Sequence, residues 1–249
     1  MRSKTIFSFL VPLAFLALHF GARNLPQPAS YTELLLGRKI VPLLLTALLI
    51  WWLHGRDWRK LPDAWGLRSN ALEALATAFV FCLPMLVGYA ILEGFKVSLS
   101  WSDFLLGCLV AAISEELFYR GFVFGQLFRF AGWGFVAAGL LNALVFGSAH
   151  LWQAGDLGSA IGVFTVTALG GLWFAWLYIE WGNNLWVPMS MHFFMNLWWE
   201  MFNAGPDAAG GLAANLFRGA TIAISVIWTI RMKRRKGLPL EITRSTLWP

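Results

Sequence analysis

Three short polar stretches interrupt the apolar sequence of this chain, and each carries residues able to move a proton or hold an ion. SEELFYRG, Ser114 to Gly121, places Glu115, Glu116 and Arg120 among apolar neighbours. FGSAH, Phe146 to His150, ends on His150, and HFFMN, His192 to Asn196, sets an imidazole and an amide four residues apart. On a helix, residues four apart share a face. Glu116 and Arg120 can therefore pair, while Glu115 points about 100° away from Glu116. One carboxylate is expected to brace the fold with Arg120, and Glu115 is left as a working group. The spacing likewise puts His192 and Asn196 on one surface.

The set Glu115, His150, His192 and Asn196 suits hydrolysis of an acyl bond. Glu115 can take a proton from water as a general base, with His150 orienting that water. His192 and Asn196 can donate hydrogen bonds to the oxyanion that forms, which a low-dielectric site makes more effective. Two alternatives stay open. Two histidines and a glutamate also form a catalytic zinc site with an open fourth position, the ligands being Glu115, His150 and His192. Intramembrane Glu and His can instead relay protons in a coupled transporter. Asn196 favours the metal-free version, because an amide is a natural oxyanion donor and a poor zinc ligand. The transporter reading lacks a polar track through the other apolar runs. Asn142 and Ser148 are neutral and are read as structural hydrogen bonders. His19 and His54 close apolar runs, where an interfacial imidazole needs no special role.

The elements that must position these groups are membrane helices. The chain is 58% hydrophobic and 13% charged, with 15 Trp and 21 Phe, against about 25% charged in ordinary soluble domains. About 20 apolar residues of helix cross a bilayer. Eight such runs are expected, from about Thr5 to Gly21, Leu35 to Leu53, Ala71 to Leu92 and Phe104 to Phe124 in the first half. Those of the second half run from about Trp133 to Leu151, Ile161 to Ile179, Leu185 to Phe202 and Ala213 to Ile230. The links are short and rich in turn formers, as in WGNN, Trp181 to Asn184. The fold class expected is all-α: one polytopic membrane bundle over 1–249, with the catalytic helices within about 104–202. An ionisable group near mid-depth of such a helix, as Glu115 is, marks a functional site.

Lys and Arg gather in cytoplasmic loops. Arg2, Lys4, the Arg56 to Arg68 loop, Arg129 and RMKRRK, Arg231 to Lys236, fall on one side of the expected spans. Arg23, Arg38, Lys39, Lys96 and Arg218 fall on the other, so both termini are expected in the cytoplasm. The basic clusters would favour anionic membrane lipid, and nothing suggests nucleic acid. The first run resembles a secretory signal core but is longer and lacks a small-residue cleavage site, so it is expected to stay as a helix. Cys82 and Cys108 lie in apolar runs and read as buried hydrophobes rather than a disulfide. Gly121 with Gly125, and Gly158 with Gly162, match GxxxG and are expected to pack helices within the bundle.

The three motifs, in order on separate apolar runs, resemble the EExxxR, FxxxH and HxxxN motifs of the CPBP (Abi) intramembrane proteases, which include the type II CAAX prenyl endopeptidases. The likeness spans about Phe104 to Phe202. It implies Glu115 as the base with His150 beside it on the catalytic water, His192 and Asn196 as the oxyanion site, and Glu116 with Arg120 as support. It implies no resident cofactor in a glutamic mechanism and zinc in a metalloprotease one. The implied partner is a membrane-anchored or lipidated protein substrate. The outer runs carry no motif and leave that substrate open.

Overall fold

The computed structural model describes residues 1–24 and 36–248. The expected start of the second run, Leu35, and the side chain of Arg23 lie outside the described residues. Helices dominate, and no strand occurs among the described residues. The helices are α1 (Lys4–Arg23), α2 (Val41–Leu53), α3 (Leu61–Trp65), α4 (Ala71–Phe81) and α5 (Leu83–Leu92). The motif helix follows, with a π-wound stretch Asp103–Val110, the α-turn α6 (Ala111–Glu115), and further π-wound stretches Glu116–Phe124 and Gln126–Ala131. Then come α7 (Phe135–Ala149), α8 (Leu157–Glu180), α9 (Trp186–Met201), α10 (Leu212–Arg235) and the short α11 (Arg244–Leu247).

Each expected run is helical, but membrane crossing by length and composition holds for fewer. Four helices, α1, α7, α8 and α10, are long and apolar enough, or up to six if each of two bent pairs counts as one span. One such pair is α4 with α5, bent by 42°. Pro84 stands at the start of α5, where it cannot donate to the preceding turn. The two expected runs outside this set are the motif helix and α9, which carry two of the three motifs. The motif helix carries Asp103, Glu115, Glu116 and Arg120 within 18 residues, and α9 has only 16 residues.

Two hydrophobic clusters form the interior. One joins α1, α2, the second half of the motif helix and α7, through residues such as Phe7, Val11, Phe15, Phe122 and Leu127. The other joins α4, α5, α9 and the start of α10, through Phe81, Met85, Tyr89, Met191 and Leu197. At about 25 cal/mol per Å² of apolar area removed from water, such burial stabilises soluble domains. Inside a bilayer, close packing and hydrogen bonding take over. The glycine pair shows this. A Cβ on Gly121 would stand 2.6 Å from Trp65 Cδ1, and one on Gly125 would stand 3.2 Å from the Tyr178 hydroxyl of α8. Both glycines thus let the motif helix pack closely inside the bundle.

The two ends of the bundle differ. At one end the Arg2 N–H donates to the Leu53 carbonyl at 2.9 Å. The C-terminal tail is clasped at the same end. Buried Glu180 accepts the N–H groups of Glu241 and Ile242, each at 3.0 Å, and pairs with Lys233 at 2.8 Å. Lys233, part of the basic run, is therefore buried and neutralised instead of facing solvent. At the other end lie the 93–100, 150–156 and 202–211 connections, where the Ser98 N–H donates to the Met201 carbonyl at 2.9 Å.

Candidate active site

Glu115 and Glu116 close α6 and open the next π-wound stretch, so they diverge as adjacent helical residues must. π-Wound turns recur at functional sites. The Glu116 and Arg120 side chains are both 0% exposed, whereas Glu115 keeps 17% of its side chain open to a cavity. That difference separates a structural carboxylate from an accessible one.

Glu116 Oε1 accepts two hydrogen bonds. Arg120 Nη1 donates at 2.9 Å and His192 Nδ1 lies at 2.8 Å. The Arg120 guanidinium lies over the Phe146 ring at 4.2 Å and near the Phe174 ring at 5.4 Å. Glu116 is thus more than a brace for Arg120, since it also fixes the His192 ring. His150 is held in a comparable way, its Nδ1 2.8 Å from the Phe146 carbonyl. Opposite a carbonyl or an ionised carboxylate, each Nδ1 must be the donor. Both Nε2 atoms are then free to face Glu115.

They do so at one point. Glu115 Oε2 lies 4.0 Å from His150 Nε2 and 3.9 Å from His192 Nε2. These gaps are too long for direct hydrogen bonds and suit a single bridging water. The other oxygen, Oε1, is 2.9 Å from Lys39 Nζ. Lys39, read from sequence as an ordinary loop cation, stands in the site. Asn196 lines the same cavity, one turn beyond His192, and its amide donates to the Gly107 carbonyl at 2.9 Å. One amide N–H remains for another acceptor.

The site sits at the seam of the two hydrophobic clusters, with Phe146 from one and Phe174 from the other beside His192. Its cavity measures about 1570 Å³ and has aromatic walls that include Trp173 and Trp199. The remaining histidines are less idle than their interfacial positions imply. His19 is buried against the Tyr119 hydroxyl at 3.1 Å, and His54 against Gln126 Oε1 at 2.8 Å. Asn142 is buried and its amide donates to the Gly171 carbonyl at 3.5 Å, and the Ser148 hydroxyl donates to the Val145 carbonyl at 2.8 Å. Cys82 and Cys108 are free and buried.

Residues 97–198 match the family described as type II CAAX prenyl endopeptidase Rce1-like. This segment resembles that family. The matched region contains Glu115, His150, His192 and Asn196. Helices α1, α2, α4, α5 and α10 lie outside it, and Lys39 with them. No curated protein and no solved structure matches the chain.

Among the described residues, no trio of His, Cys, Asp and Glu has metal-holding spacing. Zinc bonds of about 2.0–2.2 Å in a tetrahedron set ligand atoms about 3.3–3.6 Å apart, closer than the 3.9 and 4.0 Å found here.

Proposed function

We propose that the chain is an intramembrane endopeptidase that cuts a peptide bond in a membrane-anchored or lipidated protein, with Glu115 activating water. The observation that carries this reading is the convergence of Glu115 Oε2 with the Nε2 atoms of His150 and His192 at about 4 Å on a cavity wall. Water held there gives a proton to Glu115 while the His150 Nε2 lone pair takes its second hydrogen bond and fixes its orientation. Lys39 keeps Glu115 Oε1 occupied and leaves Oε2 as the proton acceptor. The Asn196 amide donates to the oxyanion of the tetrahedral intermediate. His192 joins it through Nε2–H when both ring nitrogens carry protons. Glu116 and Arg120 orient His192 from behind.

Removing one oxyanion donor costs on the order of 10²–10³ in rate. Asn196→Ala is therefore expected to lower kcat by about that factor with KM nearly unchanged, since the donor acts in the transition state. Steady-state cleavage of a membrane-anchored reporter checks it. A change in KM alone would remove Asn196 from that role.

A zinc-dependent reading has one observation in its favour. Both rings donate Nδ1–H to a protein acceptor, the arrangement that also orients metal-bound histidines. Glu115, His150 and His192 would then be the ligands, and the metal would supply a more acidic bound water. Elemental analysis with activity measured before and after chelation decides between them. Near-stoichiometric zinc and chelator-sensitive cleavage would replace the glutamic mechanism.

A further inference from the structure

The cavity above Glu115 is one-sided. Its lining is weighted toward the end away from the termini and reaches past mid-helix only at residues such as Trp173, Phe174 and His192. Leu18 and His19 end α1, Pro42 begins α2, and Gln153 follows α7. Asn215 and Arg218 belong to the first turns of α10, and Glu200 to the last turn of α9. The Pro206–Ala208 stretch of the 202–211 connection stands at its rim. The clasped C-terminal tail and the Arg2–Leu53 contact lie at the opposite end.

The positive charges divide along the same axis. Arg2, Lys4, the Arg56 to Arg68 loop, Arg129, the 231–236 run and Arg244 all lie at the terminal end. Among described side chains the cavity end has Arg38, Lys39, Lys96 and Arg218. Two of these are occupied, Lys39 by Glu115 and Arg218 by the Ala208 carbonyl and Asn215 Oδ1, each at 2.9 Å. Lys and Arg in short loops hold their side of a bundle in the cytoplasm, so the terminal end is the cytoplasmic one.

We infer that the site takes its substrate from the non-cytoplasmic face, as a polypeptide tail already carried across the membrane and still anchored in it. The inference rests on the endopeptidase reading for what is cut and on the cavity and charge axis for the side. The cavity, about 1570 Å³, exceeds the roughly 300–1,000 Å³ of small-molecule sites and suits an extended chain. Its aromatic walls suit apolar residues next to the anchor. Arg38, lining the cavity with no hydrogen-bond or ion-pair partner among the described residues, is placed to meet an acidic group on that tail.

Single-cysteine variants test the side without turnover. The native thiols Cys82 and Cys108 are 0% exposed and give no background. A membrane-impermeant maleimide is added to intact cells producing the full chain with Leu157→Cys, Met195→Cys or Leu238→Cys. Leu157 lies at the cavity end, Met195 beside Asn196 in the cavity, and Leu238 in the exposed part of the tail. The first two are expected to label from outside, and Leu238→Cys only after lysis. The reverse pattern would overturn the inference. A second arm uses two single-span reporters that differ only in which face carries the tail. The protein is expected to cut only the reporter whose tail is on the Leu157 face, and Glu115→Gln neither. Cleavage of the opposite reporter alone would overturn the inference. Cleavage of neither, with labelling as expected, would overturn the endopeptidase reading and its substrate while the sidedness of the cavity stands.

Discussion

Glu115→Gln is expected to cut proteolysis by on the order of 10²–10⁴, the usual contribution of a general base, in a protein that still folds and inserts. The amide keeps the shape of the carboxylate and can still accept from Lys39 through one oxygen, so the 2.9 Å contact has a substitute. What it loses is the ability to accept a proton from water between Oε2 and the two imidazoles. Lys39 remains tolerable without its counterion, because its side chain is 34% exposed on the cavity wall. Cleavage of an anchored reporter, together with gel filtration in detergent, separates chemistry from folding. Equal activity of variant and parent would remove Glu115 from the role of base.

The second large effect is on stability. Glu116→Gln leaves Arg120 charged and 0% exposed, with only ring faces and an amide about it. Breaking a buried pair by removing one partner costs about 3–5 kcal/mol. For a chain of this length that lowers the unfolding midpoint by on the order of 10 °C. A double variant, Glu116→Gln with Arg120→Met, removes the stranded charge and is expected to regain much of the loss. It does not regain activity, because His192 Nδ1 no longer has a carboxylate to fix its ring. Thermal unfolding of the three proteins in one detergent measures this. A double variant no more stable than the single one would show that the pair is not the source of the loss.

The opposite fates of two adjacent carboxylates were legible in the sequence. Helical periodicity alone separates Glu115 from Glu116 and pairs the latter with Arg120, because these relations are local. The helices were legible for the same reason, since about 20 apolar residues announce themselves without tertiary context. Contacts between distant segments were not. Lys39 and Glu115 are 76 residues apart, as are Glu116 and His192, and no spacing rule spans such separations. Lys39 therefore read as a loop cation and Glu116 as a brace for one partner. Lys233 read as a free charge in a basic run because the clasp to Glu180 depends on the tail folding back. His19 and His54 read as interfacial because their partners, Tyr119 and Gln126, lie on the motif helix.

The central claim is hydrolysis of a peptide bond at the Glu115 site, and its most direct test is chemical. Purified protein and its Glu115→Gln variant are reconstituted with anchored membrane proteins in water enriched in oxygen-18, and the peptides released are sequenced by mass spectrometry. New C-termini carrying one heavy oxygen are expected in the parent reaction, recurring at defined positions near membrane anchors and absent from the variant. The same labelled termini in both reactions, or none in either, would contradict it.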